Sequence, residues 1–167
     1  MEILTMTIRA CAAAVLLASL FLGSASAQQM VVDRKVISAE AARKIAEGCE
    51  AFAKGKGWHV SVWVLDETLT PLYFYRMQGT PMFTVEPALA KAKVAVRTGQ
   101  PNEAYVRNAE TRGQFVATVN AVAGGYVLSP GGLPIMIDGQ VAGGIGIGGS
   151  TDDRACAQAG IDAVFKK

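Results

Sequence analysis

Histidine is almost missing from this chain of 167 residues: His59 stands alone, with three cysteines beside it. A zinc site built on histidine normally draws on several N or S ligands. A Ser-His-Asp hydrolase would have to use His59, and the nucleophile elbow that presents such a serine is absent. Charge is also scarce. Charged residues make up 18%, with 16 Lys plus Arg against 14 Asp plus Glu, a formal net charge of +2. That is not the clustered basic field of a nucleic-acid binder. With 51% hydrophobic residues the chain is too apolar for disorder. No apolar run reaches the ~20 residues that span a membrane. No Arg-Arg pair precedes the longest one, so an export signal for folded cargo is not expected.

What is there begins with a leader. Arg9 precedes a largely apolar run of 13 residues, Ala10 to Leu22, and Ala25-Ser26-Ala27 puts small residues before a cut at Gln28. Residues 1–27 therefore read as a secretory signal peptide, with Met6 as an alternative start. Cys11 lies ahead of most of the apolar run, the wrong place for a lipoprotein cysteine. Residues 28–167 are expected to form a single domain, long enough to bury a proper core. Its expected location is periplasmic or secreted, an oxidising setting in which Cys49 and Cys156 are expected to form a disulfide. The chain-entropy account gives a loop of this length about 4–5 kcal/mol.

The hydropathy pattern predicts a helix from an N-cap at Ser38, with Ala42, Ile45, Cys49 and Phe52 on one face and Gly55 and Gly57 at its end. Trp58 to Asp66 alternates as a strand, both faces largely apolar, and Leu72 to Gln78 pairs with it as an antiparallel hairpin. A second helix runs from Thr84 to Thr98, with Val85, Leu89, Ala92 and Val96 inward and Lys91, Lys93 and Arg97 on a basic side. Short helical turns are expected over Asn102 to Asn120, and a short strand over Gly124 to Leu128. Asp138-Gly139 is a two-residue hairpin signal between strands Leu133 to Asp138 and Gln140 to Gly148. A last helix starts from a capping box at Ser150 and Asp153, with Ala155, Cys156, Ala159 and Ala163 on one face. Antiparallel pairs separated by helices make this α+β.

Gly144-Ile145-Gly146-Ile147-Gly148-Gly149 satisfies G-x-G-x-x-G, but no βαβ unit follows and the chain ends 18 residues on. A dinucleotide site is not expected. One face of this strand carries almost no side chains, so a helix or a flat ligand must approach it closely. His59 is enough for a single haem iron, which takes one or two axial groups, or it is a plain strand residue beside Trp63. Tyr73, Tyr75, Met77 and Met82 carry donors that can also meet a haem face, or they serve the core. There is no C-x-x-C-H, which excludes covalent c-type attachment. Glu47 and Glu50 share a helix face, as a loose iron site or a solvated edge.

Gly131-Gly132-Leu133-Pro134-Ile135, Asp138-Gly139, Val141 to Gly149, Asp153 and Ala155-Cys156-Ala157 resemble the GlcG/HbpS-like haem-binding proteins, related to the C-terminal domain of PduO-type proteins. Arg76-Met77-Gln78-Gly79 and Lys91-Ala92-Lys93 resemble that family's middle motif, and the likeness runs from Ser38 to Val164. Gln78 and Gly148 stand where relatives often carry Asp and Ser. The resemblance implies a five-stranded antiparallel sheet with helices on its faces, a homo-oligomer, and b-type haem held non-covalently, in some members with haem degradation or free iron binding. The expected site joins Arg76, Lys91 and the Gly131-Gly132 loop, with Lys93 also available to propionates and His59, Tyr75 or Met77 near the ring. His59 is the candidate iron ligand. If Arg76 meets no ligand, it must reach solvent or an acid such as Asp66. The competing readings are an enzyme or accessory module for a small metabolite or corrinoid, and a structural oligomer without ligand. Neither a nucleic-acid partner nor a membrane span after cleavage is expected.

Overall fold

A computed structural model describes residues 30, 32–104, 111, 113 and 129–166. The expected leader, the strand at Gly124 to Leu128 and most of the turns over Asn102 to Asn120 lie outside the described residues. The chain divides into two units, Met1–Arg34 and Lys35–Lys167, and the second holds the sheet and its helices.

Its elements are helix α1 (Ala39–Gly55), strands β1 (Ser61–Asp66) and β2 (Pro71–Arg76), a 3-10 turn (Met82–Thr84), helix α2 (Val85–Thr98), strands β3 (Gly132–Ile137) and β4 (Gln140–Gly148), and helix α3 (Asp153–Phe165). The strands form one antiparallel sheet in the order β2-β1-β4-β3. The protein is therefore α+β, with four strands among the described residues.

Local chemistry explains most boundaries. The Ser38 hydroxyl accepts from the Ala41 amide and starts α1, and Gly57 adopts a left-handed φ of 69° just past its end. Asp138 and Gly139, at φ 48° and 77°, make the hairpin turn that the Asp-Gly pair predicts. Helix α3 departs from expectation at its start. Its cap is Asp152, which accepts from the Ala155 amide, while Ser150 donates to Asp153 instead. Its buried face is Cys156, Ala157 and Gly160 rather than Ala159 and Ala163.

Both sheet faces are covered by this chain. On one, Val60, Val62, Val64, Ile135, Ile145 and Ile147 meet α1 and α3 in a core that includes Ala42, Ile45 and Cys49. The Cys49–Cys156 disulfide ties those two helices together, with the Cα atoms 4.8 Å apart. On the other face lies α2, and Leu65 packs with Ala92 and Val96. The glycine strip faces α2. A Cβ on Gly146 would come within 2.0 Å of the Ala88 carbonyl, and one on Gly144 within 2.6 Å of Val96. Of the two occupants expected for the strip, the helix is the one found there, and no flat ligand fits between.

Candidate functional site

Strand alternation decides where the candidate residues go. Phe74 and Arg76 belong to the α2 side of β2, whereas Tyr75 and Met77 belong to the side of α1. Residues expected in one site are thereby divided between two clefts.

The first is a groove of about 520 Å³ lined by Phe74, Arg76, Met82, Phe83, Val85 and Glu86. Its floor is well fixed. Trp63 stacks on Phe74 at 4.2 Å between centroids, and its indole N–H donates to the Val85 carbonyl at 3.1 Å. The Thr84 hydroxyl donates to the Pro81 carbonyl at 2.7 Å, so at 2.9 Å the buried Ser61 hydroxyl is the donor to Thr84. Gly148 lies under this turn, where a Cβ would stand 2.6 Å from the Thr84 carbonyl. On this pinned support Met82 is 79% exposed, Phe83 77% and Phe74 42%. Large apolar side chains held out by a rigid turn mark a binding surface more specifically than scattered exposed residues do. Arg76 is exposed and pairs across the ladder with Ser61, while Asp66 sits at the far end of β1. Asp66 is occupied by Thr68 and Thr70, so it is not the acid for Arg76.

The second cleft, about 490 Å³, is lined by Glu50, Lys54, His59, Tyr75, Met77, Gln78 and Gly79. The Nδ1 of His59 lies 2.8 Å from the Gln78 carbonyl oxygen. A carbonyl only accepts, so Nδ1 carries the hydrogen and, in the neutral ring, Nε2 keeps its lone pair. Glu50 pairs with Lys54 at 2.8 Å. The hydrogen bond to Glu50, and that carboxylate's charge, raise the Tyr75 phenol above its ordinary pKa. That shift disfavours the phenolate form that an iron ligand would need. Met77 is buried, with the Val60 N–H directed at its sulfur at 3.5 Å.

Lys91 and the Gly131-Gly132 loop do come together, but in a closed knot. The Lys91 ammonium donates to Asp153 Oδ2 at 2.7 Å and to the Ile147 carbonyl at 3.0 Å, and the lysine is 3% exposed. A Cβ on Gly132 would meet the Lys91 carbonyl at 2.3 Å, and one on Gly131 would meet the Asp153 Cβ at 2.5 Å. The expected basic side of α2 thus loses Lys91 to the interior, where it locks α2 against β4 and α3. Arg76 does not join this cluster; β1 and β4 stand between its strand and that of Gly132. Lys93 lines a shallow hollow with Glu86, Leu89 and Ala90. Glu47 is engaged by Arg43 and Glu50 by Lys54. Among the described residues no three His, Cys, Asp or Glu gather as a metal site.

Sequence reasoning missed Phe74, Phe83, Val85 and Glu86 as lining residues. The signal was Pro81-Met82-Phe83-Thr84, two large apolar residues in succession just ahead of a helix.

Among the described residues, a four-stranded antiparallel sheet between two helix layers, with an apolar groove and an exposed guanidinium at one end, defines a small α+β domain. The chain belongs to the HbpS-like family of haem-degrading proteins, whose model matches residues 37–162. Among solved structures it is similar to a double mutant of Streptomyces reticuli HbpS at 27% identity and TM-score 0.72, covering 83% of this chain and 92% of that one. A PduOC:heme complex is similar at 23% identity and TM-score 0.72, covering 78% and 96%. Klebsiella pneumoniae protein ORFY is similar at 22% identity and TM-score 0.76, covering 82% and 96%. No curated protein matches the chain at significance.

Proposed function

We propose that this chain is an exported haem-binding protein that holds b-type haem non-covalently in the Arg76 groove. The observation that carries the reading is the display of Phe74, Met82 and Phe83 around Arg76 on a pinned turn. The donor set fits the group. Haem is a flat apolar ring with two carboxylates: aromatic and thioether side chains cover the ring, and a guanidinium takes a propionate by charge-assisted hydrogen bonds. The groove volume, about 520 Å³, lies within the ~300–1,000 Å³ usual for small-ligand sites. Membership of a haem-degrading family supports the same ligand.

Export is supported by the leader pattern of residues 1–27 and by the buried disulfide, which persists in an oxidising compartment. The protein works in the periplasm or outside the cell, in scavenging or sensing haem. It does so as a homo-oligomer, a reading that rests on exposed Met136 and Phe165 outside the groove and on the outer edges of β2 and β3, which pair with no other described strand. When bound, haem supplies the redox and oxygen chemistry; this chain's residues hold and orient it.

Titration of the purified protein with haemin, followed at the Soret band, tests the reading. Saturable binding is expected. Arg76→Ala should weaken it about tenfold or more, the scale of one hydrogen bond to a charged group. A second reading places the ring in the His59 cleft, on the strength of the Nε2 lone pair. There, His59→Ala would abolish the spectrum and Arg76→Ala would bind as the parent does. A protein without any Soret band would be the ligand-free oligomer. Incubating the loaded protein with a reductant separates holding from degradation: the Soret band persists in the first case and decays in the second.

A further inference from the structure

Among its described lining residues the groove contains one soft donor atom, the Met82 sulfur. Of the five side chains that the sequence offers to a haem iron, four are engaged or placed elsewhere. His59 lines the other cleft and donates to Gln78. Tyr73 packs against the core on the α1 side, and Tyr75 is held by Glu50 in the second cleft. Met77 is buried with its sulfur turned to the Val60 amide. Met82 is the fifth. It opens the 3-10 turn, lines the Arg76 groove and is 79% exposed, so the core does not account for it. The turn around it is fixed by the bonds of Thr84, which holds the residue out without a cost in order at the moment of binding.

Building on haem as the ligand of this groove, we propose that the Met82 thioether is the axial iron ligand, with the Phe83 ring against the macrocycle. Among the described lining residues, the other group that can ligate iron is the Glu86 carboxylate, in the first turn of α2. A carboxylate is a hard donor and suits ferric iron; a thioether is soft, favours ferrous iron and raises the potential.

The test compares haem-loaded parent protein with Met82→Ala, Met82→His and Glu86→Gln. Both positions are exposed, and circular dichroism checks that each variant folds. The expected result is a sulfur-to-iron charge-transfer band in the ferric parent that Met82→Ala loses, with a fall in midpoint potential. Met82→His should then give a histidine-ligated spectrum, and Glu86→Gln should keep the parent spectrum. If Met82→Ala matches the parent while Arg76→Ala still weakens binding, the ligand assignment fails and the haem site stands. If neither variant alters binding and His59→Ala does, the groove itself is wrong. If Met82→Ala changes only the sedimentation coefficient, the patch is a contact between copies of this chain and the proposal falls.

Discussion

Phe74 and Arg76 open on one side of strand β2, and Tyr75 and Met77 on the other, so four successive residues feed two clefts of different chemistry. The groove on the α2 side pairs exposed apolar side chains with a guanidinium for which no described acid supplies an ion pair. The cleft on the α1 side is already internally satisfied: Glu50 holds both Lys54 and Tyr75, and His59 holds the Gln78 carbonyl. A ligand entering the second meets polar groups already bonded to one another, with the His59 Nε2 lone pair left over. A ligand entering the first covers surface that water wets poorly, at about 25 cal/mol per Å² of apolar area. That difference, more than the similar volumes, separates a binding site from a polar surface cleft.

The sharpest way to break the comparison is to attack the candidate cations separately. Lys91 is a buried, paired charge; Arg76 is an exposed one. Lys91→Ala leaves Asp153 nearly buried and without its partner, and should cost about 3–5 kcal/mol in denaturant unfolding. Arg76→Ala should leave stability within about 0.5 kcal/mol of the parent, as surface substitutions usually do, while haem binding weakens. Equal stability for the two variants would mean that Lys91 does not pin α2 to β4 and α3.

Next in size is the disulfide, which lies behind the sheet face remote from the groove. The Cys49→Ser, Cys156→Ser double variant should lose about 2–5 kcal/mol, because 107 residues of chain are no longer closed in the unfolded state. Once folded, it should bind haem as the parent does. A changed Soret spectrum in the folded variant would show that the α1 face shapes the site.

A smaller effect is expected from Gly148→Ser, which puts a side chain under the turn that carries Met82. The new Cβ would start 2.6 Å from the Thr84 carbonyl, so the turn must shift, at about 1–3 kcal/mol. Haem affinity should change with it, since Met82 and Phe83 move together. Unchanged affinity would disconnect the glycine from the groove.

Much of this arrangement was legible in the sequence, because most of it is local. Ser38, Asp138-Gly139 and the alternation of Val60, Val62 and Val64 each act on neighbouring residues, and each does in the structure what its chemistry predicts. The same alternation, applied to Tyr75, Arg76 and Met77, would have divided the expected site in two. What was not legible depends on distant partners. Lys91 reads as a solvated base on a helix until Asp153, 62 positions away, is brought to its ammonium. The glycine strip is consistent with ring or helix until Ala88 and Ala92 are seen against it. Met82 and Phe83 reveal their exposure only once Trp63 and Thr84 have fixed the turn beneath them.

The smallest predicted effect lies at the end of β1 remote from Arg76, and it serves as the control for the rest. Asp66 closes the β1–β2 turn, where its Oδ1 accepts from the Thr68 amide, the Thr68 hydroxyl and the Thr70 amide at 2.7–2.8 Å. Burial on its own would push this carboxyl up; the hydrogen bonds from Thr68 and Thr70 outweigh it and hold the group below the ordinary aspartate value. A folded-state pKa below the unfolded one, about 3.9, contributes stability that is fully present above that value and is lost as pH falls through the folded one. The stability gap between parent and Asp66→Asn should therefore be constant from neutral pH down to about 4 and shrink below it. Haem binding near neutrality should not notice the substitution, because Asp66 touches neither cleft. A gap that widens on acidification, or haem affinity that falls with it, would mean that the hairpin turn and the groove are coupled through β1 and that the two ends of the sheet do not act separately.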